Sequence, residues 1–251
     1  MVNGRKPRYA HYELFDAGNI DEGHGGPLDP TSQRAHANRG NALWHVDSSF
    51  NPRRASFSLL RACELPPPGH GGNTEFADSR AAFDELPDDA KELLLARDYV
   101  GAHSLMHSRK LGSPRFFDDV DPATAPMQRH RILQRHEPSG RLNLYVGAHL
   151  HHIEEGGEEI PGSWDLVQRL NQHVSQPKYT TAVQWEKPGD LVIWDNRCVL
   201  HRAGAGTFEG KYKRDLRRTT VHDDSPTAWG LNSTETMWSG PYIPLPDPVK
   251  A

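Results

Sequence analysis

The apolar residues of this chain come in short runs, and nearly every run is closed by glycine or proline. Ala55–Cys63 (ASFSLLRAC) alternates and is stopped by Pro66, Pro67 and Pro68. Gly71, Gly72 and Asn73 then turn the chain into Thr74–Ala77, and Arg141–Val146, Thr180–Trp185, Leu191–Trp194 and Arg217–Val221 repeat the pattern. Side chains alternate across a strand, so short period-two runs bounded by turns predict strands. Arg8–Phe15 reads as a further strand, and Gly18–Gly40, rich in Gly, Asp and Asn, as loop. Helical signals are few. Asp78 or Ser79 caps a helix running through Leu86. Pro87 opens a second helix, with Asp88 and Asp89 in its first turn and Leu93 and Leu94 on its apolar side. Ser163 caps a third, in which Val167, Leu170 and Val174 share one face. The tail from Asp223 is expected to wrap the surface. The predicted class is mainly β with flanking helices, a jelly roll or similar sandwich, in one domain over 1–251.

The bulk properties exclude several functions. A net charge of -4 with scattered basic residues argues against nucleic acid or an anionic membrane as partner. No stretch reaches the apolar length of a membrane span, and the polar N-terminus lacks a signal core. The two cysteines, Cys63 and Cys198, make no disulfide framework and have no second cysteine at ligand spacing. A cytoplasmic protein with reduced thiols is expected, and a homo-oligomer is compatible with these features.

Chemistry concentrates in two places. In Trp44–His45–Val46–Asp47, residues i and i+2 of a strand share a face, so His45 and Asp47 can offer an imidazole and a carboxylate to one ion. Farther on, an apolar strand enters a polar bend (Asp195, Asn196, Arg197) and reaches His201. Two histidines and one carboxylate form the facial triad of non-haem Fe(II) oxygenases, which leaves positions open for a bidentate cosubstrate and O2. With 15 histidines in the chain, a His-x-Asp pair also arises by chance, and spacing alone does not select the third ligand.

The surrounding text does select it. Asn41–Phe50 (NALWHVDSSF), Gly71–Asp78 (GGNTEFAD), Trp194–Arg202 (WDNRCVLHR) and Arg214–Thr220 (RDLRRTT) follow in order. The chain thereby resembles the taurine dioxygenase/2,4-dichlorophenoxyacetate dioxygenase family from about Tyr9 to Asp223. The resemblance implies a double-stranded β-helix, Fe(II) as metal, and 2-oxoglutarate and O2 as cosubstrates. It implies His45, Asp47 and His201 as iron ligands, Thr74 and Arg214 as holders of 2-oxoglutarate, Asn41 and Trp44 on the substrate side, and Arg218 as binding the substrate's anionic group or assisting the cosubstrate's other carboxylate. The step from His201 to Arg214 is slightly longer than in the family, and Gly204–Gly210 can absorb it. The family's first strands and a helix precede the position of Tyr9, where this chain has eight residues, so that part of the domain is expected to be missing.

The implied reaction is hydroxylation of a small anionic organic substrate with release of succinate and CO2. The alternatives are the same chemistry on a neutral substrate, such as a purine or natural-product intermediate, and an inactive truncated binding protein. Lesser features have plain readings. His149, His151 and His152 are equally compatible with a pocket role and with a surface or packing role. His103 and His107 could share a helix face. Trp185 and Trp194 read as core, Asp195 and Asn196 as shapers of the bend, and Arg197 as an ion-pair partner. The basic run from Lys211 to Arg218 reads as an edge leading into an anion pocket.

Overall fold

The computed structural model describes Arg8, Tyr9, His11 and residues 13–235. Along the chain come β1 (Phe15–Asp16), α1 (Gln33–Asn38), β2 (Ala55–Glu64), β3 (Thr74–Asp78), α2 (Ser79–Asp84), α3 (Asp88–Ala96), β4 (Val100–His103), α4 (Leu105–Gly112) and β5 (Gln128–Arg131). There follow β6 (Leu133–Arg135), β7 (Leu142–Leu144), β8 (Leu150–Glu155), β9 (Glu158–Glu159), α5 (Ser163–Val174), β10 (Thr180–Val183), β11 (Leu191–Asp195), β12 (Val199–Ala203) and β13 (Asp215–His222).

The fold is the expected jelly roll. One antiparallel sheet has the order β1-β13-β2-β11 and a second the order β10-β3-β12. In β2 the alternation sends Ser58, Leu60 and Ala62 inward and Phe57 and Arg61 outward. Leu60, Ala62 and Leu216 of the first sheet meet Phe76 of the second across Trp194. Each large apolar side chain so buried contributes about 1.5–3 kcal/mol. The sheet β5-β4-β8-β9 and the pair β6-β7 carry a larger core with α2, α3 and α5, in which Val167, Leu170 and Val174 are fully buried as their spacing predicts.

The differences from expectation are local and have physical reasons. Gly162, in the left-handed region at φ 69°, takes the N-cap of α5, while the Ser163 hydroxyl accepts from the Ile153 N–H instead. In α3 the buried face is Ala90 and Leu94, four residues apart, and Leu93 falls outside that narrow stripe and is exposed. Ser32 caps α1 inside the expected loop by accepting from the Ala35 N–H. Of the expected first strand, Arg8–Phe15, only Phe15 is β among the described residues, in a strand that runs on to Asp16; Ala10 and Tyr12 lie outside the described residues. The tail runs over the surface as expected, mostly exposed from Asp224 to Glu235, and is pinned where buried Asp223 accepts from Arg54 Nε at 2.7 Å and Asn232 Oδ1 accepts from the Arg129 N–H of β5; residues 236–251 lie outside the described set. Among the described residues, no helix is long and apolar enough to cross a membrane.

Candidate metal and anion site

The site starts from one backbone pairing. His45 and His201 exchange both backbone hydrogen bonds, at 3.0 and 2.9 Å, as an isolated antiparallel bridge. Residues so opposed project their side chains to the same side, and the imidazole centroids stand 4.2 Å apart. The expected strand around His45 does not otherwise form. Asn41 lies in a 3-10 turn that ends at Ala42, Asp47 begins a turn, and Ser48 at φ 61° breaks the extended run. The alternation still holds over the few extended residues. Val46 and Trp44 pack into the main core, and His45 and Asp47 take the other side. Trp44, expected on the substrate side, therefore does not line the cavity below; Arg202 stacks its guanidinium on the indole at 4.6 Å. The chain reverses tightly beside His45, where Gly147, at φ 129°, would bring a Cβ to 3.0 Å from the His45 Cα.

Asp47 Oδ1 lies 3.9 Å from His45 Nε2 and 3.6 Å from His201 Nε2, and all three residues are buried. His45 Nδ1 donates to the Leu43 carbonyl at 2.7 Å, which leaves the Nε2 lone pair facing the carboxylate. Burial holds both imidazoles below their ordinary range, so both stay neutral. Burial also pushes the Asp47 carboxyl up, but Arg218, then His201, His45 and the Ser58 hydroxyl outweigh it and bring it down to about 2. Two neutral imidazoles and one carboxylate are the protonation states a divalent ion requires, so the donor set fits one.

A cavity of about 50 Å3 adjoins the triad, and Asn41, Thr74, Arg214 and Arg218 line it together with His45 and His201. Arg214 is 6% exposed. Its Nε donates to the Gly72 carbonyl at 2.8 Å, and its backbone N–H donates to Asn19 Oδ1 at 2.7 Å. Gly72 has φ 88°, and a Cβ there would stand 3.1 Å from the Arg214 side chain, so the residue is glycine for conformation and for space. Burial alone pushes the Arg214 guanidinium down to about 10, and no carboxylate among the described residues offsets it. Thr74 Oγ1 accepts from Trp185 Nε1 at 3.1 Å. Trp185 thus has a polar task beside its packing. Arg214 precedes β13 by one residue and a register shift follows, so the anchors at Gly72 and Asn19 place it, not strand parity. Arg218, within β13, donates from Nη1 to Asp47 Oδ1 and stacks on Phe15. Arg217 turns away to Tyr9 and Asp215.

A family model described as "Taurine catabolism dioxygenase TauD, TfdA family" matches residues 11–220. The chain belongs to this family. It is an oxidoreductase of the alpha-ketoglutarate (2-oxoglutarate)-dependent dioxygenase class. A similar protein is the alpha-ketoglutarate-dependent 2,4-dichlorophenoxyacetate dioxygenase of Burkholderia sp. (strain RASC), 38% identical over 88% of this chain and 71% of that one. Pentalenolactone F synthase of Streptomyces avermitilis is 31% identical over 91% of this chain and 74% of its own. Among solved structures, AAD-2 in complex with Mn(II) and N-oxalylglycine superposes with a TM-score of 0.72 at 38% identity, covering 85% of this chain and 74% of that one.

Within this TauD/TfdA member, sequence reading passed over Ser58, whose hydroxyl donates to Asp47 Oδ2 at 2.7 Å, and gave Asn196 only a role in the bend. Asn196 is fully buried and donates to Ser58. Arg197 is the ion-pair partner expected of it, on Asp195 at 2.7 Å. His149 is buried edge-on against His45 at 5.4 Å, whereas His151 and His152 hydrogen-bond one another away from the triad. His103 ends β4 and His107 sits in α4, so they share no helix face. His136, Asp195 and Cys198 also converge, but Arg197 and His136 occupy the carboxylate and burial pushes the thiol up to about 12. A larger cavity of about 540 Å3, lined by His107, His151 and Trp164, contains none of the triad.

Proposed function

We propose that this chain is an Fe(II)/2-oxoglutarate-dependent dioxygenase whose iron is held by His45 Nε2, Asp47 Oδ1 and His201 Nε2, and which hydroxylates a small anionic organic molecule. One observation carries the reading: Arg214, a buried arginine with no counter-ion among the described residues, lines one cavity with the two histidines of a buried His/Asp/His triad. A desolvated guanidinium awaits an anion, and its planar fork suits a carboxylate by two parallel bonds. Arg214 would take the far carboxylate of 2-oxoglutarate, and Thr74, its oxygen already accepting from Trp185, would donate its hydroxyl proton to the same group. An iron ion held there supplies the oxidative decarboxylation of the 2-oxo acid and the oxidation of a substrate C–H bond. Around it, Leu60 and Trp194 wall the cavity and exclude water, and Leu43 holds the His45 tautomer.

The anionic substrate rests on Arg218, which reaches the cavity beside the triad, with Asn41 on the same wall. The relative that acts on 2,4-dichlorophenoxyacetate, a carboxylate, supports this choice. One observation favours a neutral substrate instead: Arg218 already pairs with Asp47, and a cation so neutralised need not read substrate charge. The relative named for pentalenolactone F synthesis is compatible with such a natural-product intermediate. The deciding experiment is a screen of small carboxylates, sulfonates, purines and neutral amides, scored by substrate-stimulated succinate formation with Fe(II) and 2-oxoglutarate. Stimulation by anions alone supports the first reading, and no succinate from any mixture would refute the enzymatic reading altogether.

A further inference from the structure

The direction of every hydrogen bond behind Asp47 follows from one residue. An indole N–H donates and cannot accept. Trp194 Nε1 stands 2.9 Å from Asn196 Oδ1, so the oxygen end of that amide is fixed, a choice otherwise made only by inference. The amide nitrogen therefore faces Ser58 Oγ and donates to it at 2.6 Å. With that lone pair occupied, the single hydroxyl hydrogen of Ser58 is left for Asp47 Oδ2 at 2.7 Å. Asn196 Oδ1 also accepts the Asp47 backbone N–H at 3.4 Å, so the same amide holds main chain and side chain together. Strand pairing supplies the frame. Trp194 of β11 is opposite Ser58 of β2, and the Asn196 N–H donates to the Ser56 carbonyl at 2.7 Å. Ser58 and Asn196 have no solvent exposure, so water does not compete for these bonds.

We propose that Trp194, Asn196 and Ser58 are positioning residues that make Asp47 a one-oxygen ligand. The relay engages Oδ2, while Oδ1 faces both imidazoles and accepts from Arg218 Nη1. A carboxylate free to turn about its Cβ–Cγ bond can chelate through both oxygens, and the second oxygen would fill a coordination position that a bidentate cosubstrate and O2 need. Turning Asp47 here would strand the Ser58 hydroxyl and the Asn196 amide in a dry interior, which is the costly side of hydrogen bonding. Residues that never touch the metal would thus set how many positions stay open.

This inference rests on the metal site proposed above, and the test separates the two. Mn(II) is titrated calorimetrically into the full chain without cosubstrate, and Co(II) is followed by its visible ligand-field absorption, which reports coordination number. Loss of an outer hydrogen-bond partner lowers metal affinity roughly 10–100-fold, and that loss is expected for Ser58→Ala, with a changed Co(II) spectrum. Ser58→Thr, which keeps the hydroxyl, should restore both. Trp194→Phe keeps the ring but frees the amide to rotate, so it should alter the Co(II) spectrum with a smaller loss of affinity. Asp47→Ala should abolish binding. If Asp47→Ala abolishes binding while Ser58→Ala retains wild-type affinity and spectrum, the relay is refuted and the site stands. If Asp47→Ala binds metal as wild type does, the site itself falls. Should Ser58→Ala not fold, a wild-type Co(II) spectrum in Trp194→Phe overturns the proposal.

Discussion

Replacing Arg214 by methionine removes a charge while keeping much of the stem's bulk. Arg214 is 6% exposed, bonded through Nε to a carbonyl, and pairs with no carboxylate among the described residues. A buried cation without a counter-ion is costly by itself. The variant should therefore melt no lower than wild type when free of ligands. With 2-oxoglutarate the sign reverses. Truncating one partner of a desolvated charge pair costs about 2–5 kcal/mol, which at about 1.4 kcal/mol per decade raises Kd roughly thirtyfold to several-thousandfold. Ligand at a hundred times Kd stabilises the native state by about 2.7 kcal/mol, and after a hundredfold rise in Kd the same concentration contributes only about 0.4 kcal/mol. The assay is anaerobic thermal denaturation of the Mn(II)-loaded protein against rising 2-oxoglutarate, with Mn(II) affinity measured separately. Metal affinity should be unchanged, because Arg214 touches neither Asp47 nor the histidines. Wild-type stabilisation by 2-oxoglutarate in Arg214→Met would refute the assignment and turn attention to Arg217 or Arg218.

Two further predictions follow from other parts of the site and core. Arg218→Leu should raise the Michaelis constant for an anionic substrate far more than for its neutral amide, while substrate-independent succinate formation persists; equal losses would mean that Arg218 does not read substrate charge. Burial pushes His107 and His130 down to about 4, against 6.5 for the ordinary imidazole. Below pH 6.5 the unfolded chain binds protons that the folded chain refuses, so stability is complete above that pH and declines toward pH 4. Melting temperatures from pH 7.5 to 4.5 should show the decline, shallower in His130→Gln, and a flat wild-type profile would contradict it.

Much of this was legible because the informative signals are local. Alternation and Gly/Pro punctuation located β2, β3, β11 and β13, and the spacing of Val167, Leu170 and Val174 gave the buried face of α5. His45, Asp47 and His201 came from motif text, and the structure brings them together with Thr74 and Arg214. What the sequence hid is set by pairing between distant segments. Ser58 and Asn196 lie 138 positions apart and meet only because β2 pairs with β11. That Trp44 packs toward the core follows from the alternation of an extended backbone, which sends it to the side opposite His45. The site's polarity was hidden for a similar reason: that Arg214 meets no carboxylate among the described residues, while Arg218 meets Asp47, depends on contacts between distant segments.

The central claim is that one cavity holds a metal on the triad and a 2-oxo acid on Arg214. Crystals of the full chain soaked with Mn(II) and N-oxalylglycine, with anomalous diffraction collected at the manganese edge, test it most directly. The account predicts one anomalous peak about 2.0–2.3 Å from His45 Nε2, Asp47 Oδ1 and His201 Nε2, with the analogue's far carboxylate on Arg214 and Thr74. A peak elsewhere, or an analogue whose far carboxylate avoids Arg214, would contradict it.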